Sequence, residues 1–165
     1  MRLAVVLLLC FVAIPATAQM SVESVLQKYN NETIPYISVD ELRTLQLKGE
    51  VIVLDSREQK EYDVSKIPSA TLVGYSNFSS SITSEKIKEK NKLIVVYCSL
   101  GVRSEDIGEK LKQAGYSNVK NLFGGIIAWK NSGYPVLDSE GNETEKVHTS
   151  SKYWSQWLTK GKKVY

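Results

Sequence analysis

Cysteine and histidine are scarce in this chain. Its 165 residues hold two cysteines, Cys10 and Cys98, and one histidine, His148. So few thiols exclude a cysteine-cluster metal site, and no histidine and carboxylate set has ligand spacing. Neither a metal nor a cofactor is expected. Charge of one sign is also lacking: 21 Lys and Arg offset 18 Asp and Glu, leaving a net +3. Lysines are interleaved with glutamates, as from Glu85 to Lys92, in the manner of a solvated helix face. That balance predicts no nucleic-acid partner. Repeats and low-complexity tracts are absent, and the length fits one domain after a short leader.

Long apolar runs are missing except at the start. Met1-Arg2 carries a charge, Leu3 to Ile14 is almost wholly apolar, Pro15 breaks the run, and Ala16-Thr17-Ala18 has the form of a cleavage site. Residues 1–18 are read as a secretory signal peptide. The run is shorter than the roughly 20 residues of a membrane span. An uncleaved anchor is the alternative; after cleavage, no integral span is expected. The expected location is outside the cytoplasm, in a bacterial periplasm, with eukaryotic secretion as the alternative. Cleavage after Ala18 removes Cys10 and leaves Cys98 alone, so no internal disulfide is available. A lone thiol in an oxidising compartment is a liability unless it is used.

Cys98 heads the segment Cys98-Ser99-Leu100-Gly101-Val102-Arg103-Ser104. The residues before it, Leu93-Ile94-Val95-Val96-Tyr97, are apolar and largely β-branched and predict a buried strand. Helical spacing follows Ser104. The thiol therefore stands where a strand ends and a helix begins. Backbone N–H groups converge in such a turn, and the helix N-terminus adds partial positive charge. A thiol there ionises below its usual pKa of about 8.5. Gly101 permits unusual backbone angles and Arg103 adds a fixed cation. A nucleophile is favoured over a buried structural cysteine.

Further along the chain, residues 21–29 have helical spacing and predict a lead-in helix within a segment 19–36. Ser38-Val39-Asp40-Glu41 is a capping-box pattern, so a helix should run from Val39 to Lys48 and stop at Gly49. Strands are expected at 51–54, ending at Asp55, at 71–73, at 92–97 and at 119–122. Helices are expected around Glu85 to Glu89, through Ile107, Leu111 and Ala114, and from Gly124-Gly125 through Trp129. Alternating strands and helices imply an α/β fold, a mostly parallel sheet covered on both faces. Ligands in such folds sit at the carboxyl ends of strands. Asp55 and Cys98 both occupy such ends, so one site is expected to include both.

In this order the residues resemble the rhodanese family. Leu54-Asp55-Ser56-Arg57 with Glu61-Tyr62 is similar to its Asp-Val-Arg…Glu-Tyr segment, and Ile67-Pro68-Ser69-Ala70 to its Ile-Pro-Gly-Ala segment. The stretch from Val96 to Ser104 resembles its active-site loop. Gly115-Tyr116-Ser117-Asn118-Val119, Leu122-Phe123-Gly124-Gly125-Ile126, Trp129 and Gly133-Tyr134-Pro135-Val136 resemble its C-terminal signature. Residues 37–138 are thus expected to form a rhodanese-like domain, with 139–165 as a C-terminal extension. Ser56, Ser65-Lys66 and Ser69 depart from the pattern; the loop does not.

The resemblance implies a sulfurtransferase that moves a sulfane sulfur from a donor such as thiosulfate to a thiophilic acceptor through a Cys98 persulfide. Ser99, Leu100, Gly101, Val102, Arg103 and Ser104 would form the anion-binding loop, with Arg103 holding an anionic donor or sulfite. Asp55 and Arg57 would position the loop, or form a structural ion pair at a strand end. The implied partners are small sulfur-containing anions, thiols or an acceptor protein. The alternative is an exported persulfide carrier, or a rhodanese-like partner-binding or redox module, with little small-molecule turnover. Cysteine phosphatases use a loop one residue longer between cysteine and arginine than Ser99 to Val102, so no phosphatase activity is expected.

In the tail, Trp154, Trp157 and Leu158 share one helical face, predicting a final helix packed on the domain rather than a membrane or partner contact. His148 is read as a tail surface residue. Asn31, Asn77 and Asn142 each begin an Asn-x-Ser/Thr triplet, which matters only in a glycosylating host.

Overall fold

The computed structural model describes residues 20–80, 83, 85 and 87–165. The signal-peptide reading of residues 1–18 lies outside them. Ser21 caps the first helix, α1 (Val22–Tyr29), by accepting the Ser24 N–H. Ser38 caps α2 (Val39–Lys48) in the same way through Glu41, and Gly49 ends it in a left-handed turn, as the capping pattern predicts.

Five strands form one parallel sheet in the order β1-β5-β4-β2-β3. They are β1 (Tyr36–Ile37), β2 (Ile52–Asp55), β3 (Thr71–Leu72), β4 (Ile94–Tyr97) and β5 (Val119–Leu122). Between β2 and β3 lies a short helix, α3 (Gln59–Val64). Helix α4 (Arg103–Gln113) follows β4, and α5 (Gly125–Asn131) follows β5.

Strand β4 lies at the centre of the sheet and is buried throughout. Its residues alternate between two cores, as side chains of a strand must. Val95 and Tyr97 face one core with Val25 of α1, Leu42 of α2 and Ile126 and Trp129 of α5. Ile94 and Val96 face the other with Ile107 and Leu111 of α4. The expected α/β fold with helices on both faces is the one found.

Three differences concern local elements. Strand β1 and helix α3 were not expected from the sequence; two and six residues are too short for periodicity to register. The helix expected around Glu85 to Glu89 falls partly outside the described residues; Thr83 and Glu85 are helical, but 87–89 are not. The tail holds no long helix. After a hairpin of β6 (Val136–Leu137) and β7 (Glu143–Thr144), β8 (Lys146–His148) pairs in parallel with β9 (Lys162–Val164). Only one 3-10 turn, Trp154–Trp157, stands between them. The aromatic spacing nevertheless buries Trp157 and Leu158 in the main core beside Val147.

Candidate active site

Cys98 leaves the carboxyl end of β4, and its free thiol is only 3 % exposed. The loop after it curls around the sulfur. The Gly101 N–H donates to Sγ at 3.1 Å, and the Ser104 hydroxyl lies 3.6 Å away. Gly101 adopts φ 120°, which a side chain strongly disfavours, and a Cβ there would press on Leu26 of α1 at 3.2 Å.

The loop's carbonyls are held outward. Cys98 O accepts from Ile126 N–H and Ser99 O from Ile127 N–H, both at the start of α5. Gly101 O accepts from the side-chain amides of Asn30 and Asn121 at 2.9 and 2.8 Å. With those oxygens engaged elsewhere, the intervening amides are free to turn toward the sulfur. A Cβ on Gly125 would lie 2.3 Å from Cys98 O, so only glycine lets α5 approach this closely.

The electrostatics favour an anion. Burial pushes the Cys98 thiol up, but the Arg103 charge, the Ser104 hydroxyl and the Gly101 and Ser104 N–H groups together bring it below its usual value. The Ser104 hydroxyl also lies 2.8 Å from Asn121 Oδ1. It has one proton for two acceptors, so it can bond Asn121 beside a thiol and turn to the sulfur beside a thiolate.

Arg103 is not free to reach outward, as expected of a donor-holding cation. Its guanidinium makes a two-pronged pair with Glu61 of α3, at 2.7 and 2.8 Å, and also donates to Ser99 Oγ at 3.2 Å. Glu61 is 2 % exposed. Burial raises its carboxyl pKa, and the bonds and charge of Arg103 lower it further, to below the ordinary range. The result is a cation fixed beside the thiol with its own charge largely compensated.

Asp55 and Arg57 form a fully buried ion pair at 2.6 Å. Arg57 also donates to Ser65 O and lies over the Tyr97 ring. The pair braces the residue that precedes Cys98, and neither member lines the cleft over the thiol. Asp55 and Tyr97 are register partners, so the two strand ends are adjacent as expected, but of Asp55 and Cys98 only Cys98 lines the cleft.

The cleft has a volume of about 140 Å³ and is lined by Cys98, Ser99, Leu100, Val102, Arg103, Ser150 and Trp154. The last two come from the tail. His148 is not a surface residue: it is 6 % exposed, and its Nδ1 lies 3.9 Å from Glu61 and accepts the Ser150 N–H. It is buried because β8 packs against α3, a pairing that local sequence does not encode. Burial lowers its pKa, with Glu61 opposing. Glu61, Asn30, Asn121, Ser150 and Trp154 were given no role at this site from sequence. Glu61 lies in the segment that resembles the rhodanese pattern, and that was the one available signal. No cluster of metal-ligating side chains occurs among the described residues.

Residues 38–132 match the family model described as the rhodanese-like domain. The chain belongs to the rhodanese-like family. It is 31 % identical over 103 residues to a tRNA uridine(34) hydroxylase of Shouchella clausii, covering 61 % of this chain and 32 % of the hydroxylase. It thus spans about a third of the length of that curated relative. A rhodanese-related protein of Thermoplasma volcanium matches with a TM-score of 0.50 and 31 % identity, over 62 % of this chain and 97 % of that one. A thiosulfate sulfurtransferase of Pseudomonas aeruginosa has the same fold, with a TM-score of 0.59 at 23 % identity, over 73 % of this chain and 22 % of that one.

Proposed function

We propose that this protein is a sulfurtransferase working through a persulfide on Cys98. The observation that carries the reading is the thiol's setting: a buried, lone sulfur that accepts a backbone N–H at 3.1 Å and is held below its usual pKa beside Arg103. The Cys98 thiolate attacks the outer sulfur of thiosulfate. The donor's S–S bond breaks and sulfite leaves with its electron pair. The new Cys98 persulfide is also an anion, so the amides that favour the thiolate favour it without rearranging. Cyanide or a thiolate then takes the outer sulfur, and the Cys98 thiolate returns. No general base is built in, because the groups that lower the thiol pKa favour the thiolate directly.

The hydroxylase named among the relatives is about three times this chain's matched length, and its activity is not carried over. The signal pattern of residues 1–18 supports export, and we place the activity outside the cytoplasm, in a periplasm. The test is thiocyanate formation from thiosulfate and cyanide by the purified protein and by Cys98→Ser. Turnover confined to the parent protein supports the reading. Loss of no activity in the variant would overturn it. Failure of the parent to turn over, while still loading one sulfur, would favour a dedicated carrier.

A further inference from the structure

Arg103 and Trp154 lie on the wall of the same cleft, and together they bear on which donor the cleft suits. Among the described residues Arg103 is the one cation lining it, and its charge is largely compensated by Glu61 through two short bonds. A dianion such as thiosulfate therefore meets little net positive charge there. Beside the polar Ser99 and Ser150, the rest of the wall above the thiol is Leu100, Val102 and the Trp154 ring, which are apolar. Trp154 is the start of an aromatic surface: Tyr153 and Tyr29 meet it edge-on at 5.1 and 6.0 Å, and both are about half exposed. Trp157 fixes it from behind at 5.4 Å, and the Trp157 indole N–H is anchored on Met20 O. Tyr29, Ser150 and Trp154 all lie outside the stretch matched by the family model, so this wall is supplied by the chain's own extensions.

We propose that Trp154 is a specificity-determining residue that selects an organic sulfane-sulfur monoanion, a thiosulfonate bearing an apolar or aromatic group, over inorganic thiosulfate. The proposal rests on the persulfide chemistry assigned to Cys98. The thiolate attacks the terminal sulfur of the thiosulfonate. The S–S bond to the sulfonyl sulfur breaks, and a sulfinate leaves with the electron pair. The organic group lies against Trp154, while Arg103 and Ser99 face the departing oxygens. One negative charge fewer in the donor suits the compensated guanidinium, and apolar area removed from water favours binding.

The test compares kcat/KM for inorganic thiosulfate, methanethiosulfonate and benzenethiosulfonate, with cyanide as acceptor. For the parent protein, kcat/KM is expected to rise along that series. Trp154→Ala is expected to lower the ratio of benzenethiosulfonate to thiosulfate by about tenfold. Trp154→Phe should restore most of that ratio, whereas a purely structural role would depress all donors alike. The donor series in the parent protein keeps the test decisive if Trp154→Ala does not fold. A parent that prefers thiosulfate, or a ratio unchanged in a folded Trp154→Ala, would overturn the assignment while leaving persulfide chemistry intact. No sulfur on Cys98 from any donor would overturn both.

Discussion

At the residue scale the protein eases one problem: forming a sulfur anion in a nearly dry place. Cys98 is buried, which on its own disfavours ionisation. The opposing groups are few enough to remove singly. Ser104→Ala deletes one hydroxyl beside Sγ and is expected to move the thiolate titration, followed by ultraviolet absorbance or alkylation rate, to higher pH. An unmoved titration would mean that the hydroxyl serves Asn121 alone. Because the thiol titrates below its ordinary value in the folded protein, sulfur loading should persist below that value and fall only as pH drops through the lowered pKa. Glu61 has the same sign for stability. Its pairing stabilises the fold above the ordinary carboxylate value, and that stabilisation is lost as pH falls through the depressed one. Glu61→Gln is expected to cost about 2–3 kcal/mol at neutral pH by urea denaturation, since it leaves Arg103 partly buried and unpaired. A cost near zero would show that water compensates Arg103 fully.

At the scale of elements, the loop is shaped by its neighbours. Helix α5 takes the first two loop carbonyls, Asn30 and Asn121 take the carbonyl of Gly101, and α4 begins where the loop ends. Gly101→Ala should therefore damage function more than fold. Its φ of 120° and the contact with Leu26 predict a cost of about 1–3 kcal/mol in stability. Displacing the amide that meets Sγ should lower sulfur transfer at least about tenfold, by analogy with loss of an oxyanion-hole donor. Full activity in that variant would contradict the amide's role. This scale also shows what sequence made legible. The β4–loop–α4 unit was readable because a β-branched run, a glycine and helical spacing stand side by side. Strand β1, helix α3 and the 3-10 turn were not, because elements this short are set by what they pack against. The contacts of Glu61 and Asn121 with the loop were not readable from local sequence for the same reason: each reaches the loop across the fold, from a separate element, and only the family resemblance marked Glu61. Tail aromatics announced burial correctly, but their helical spacing was compatible with a single turn as well as with a helix.

At the scale of the whole molecule, both extensions close on the Cys98 loop. Leu26 of α1 leaves little room for a side chain at Gly101, and Asn30, just past α1, donates to the Gly101 carbonyl, while Ser150 and Trp154 wall the cleft. Removing residues 150–165 deletes β9 and takes Trp157 and Leu158 out of the core. Calorimetry should show a lower melting temperature, corresponding to a loss of about 3–5 kcal/mol. Alkylation of Cys98 by a bulky reagent should become faster. An unchanged melting temperature would contradict a packed tail. His148 links the tail to α3 and adds a second pH dependence. It faces Glu61, with the charges of Arg57, Lys60 and Arg103 nearby, and its pKa is lowered by burial. Below its ordinary value the unfolded chain takes up the proton first, so stability should decline from about pH 7 to pH 5. His148→Asn, which keeps an acceptor for the Ser150 N–H, should flatten that decline; an equal slope would exclude His148 as its source.

The central claim is that Cys98 carries the transferred sulfur. The measurement that bears on it most directly is the mass of the peptide containing Cys98 after exposure of the protein to thiosulfate or benzenethiosulfonate. The account predicts a gain of one sulfur atom on that peptide, reversed by cyanide with release of thiocyanate. An unmodified Cys98 peptide after both donors, from protein whose thiol still reacts with an alkylating agent, would contradict it.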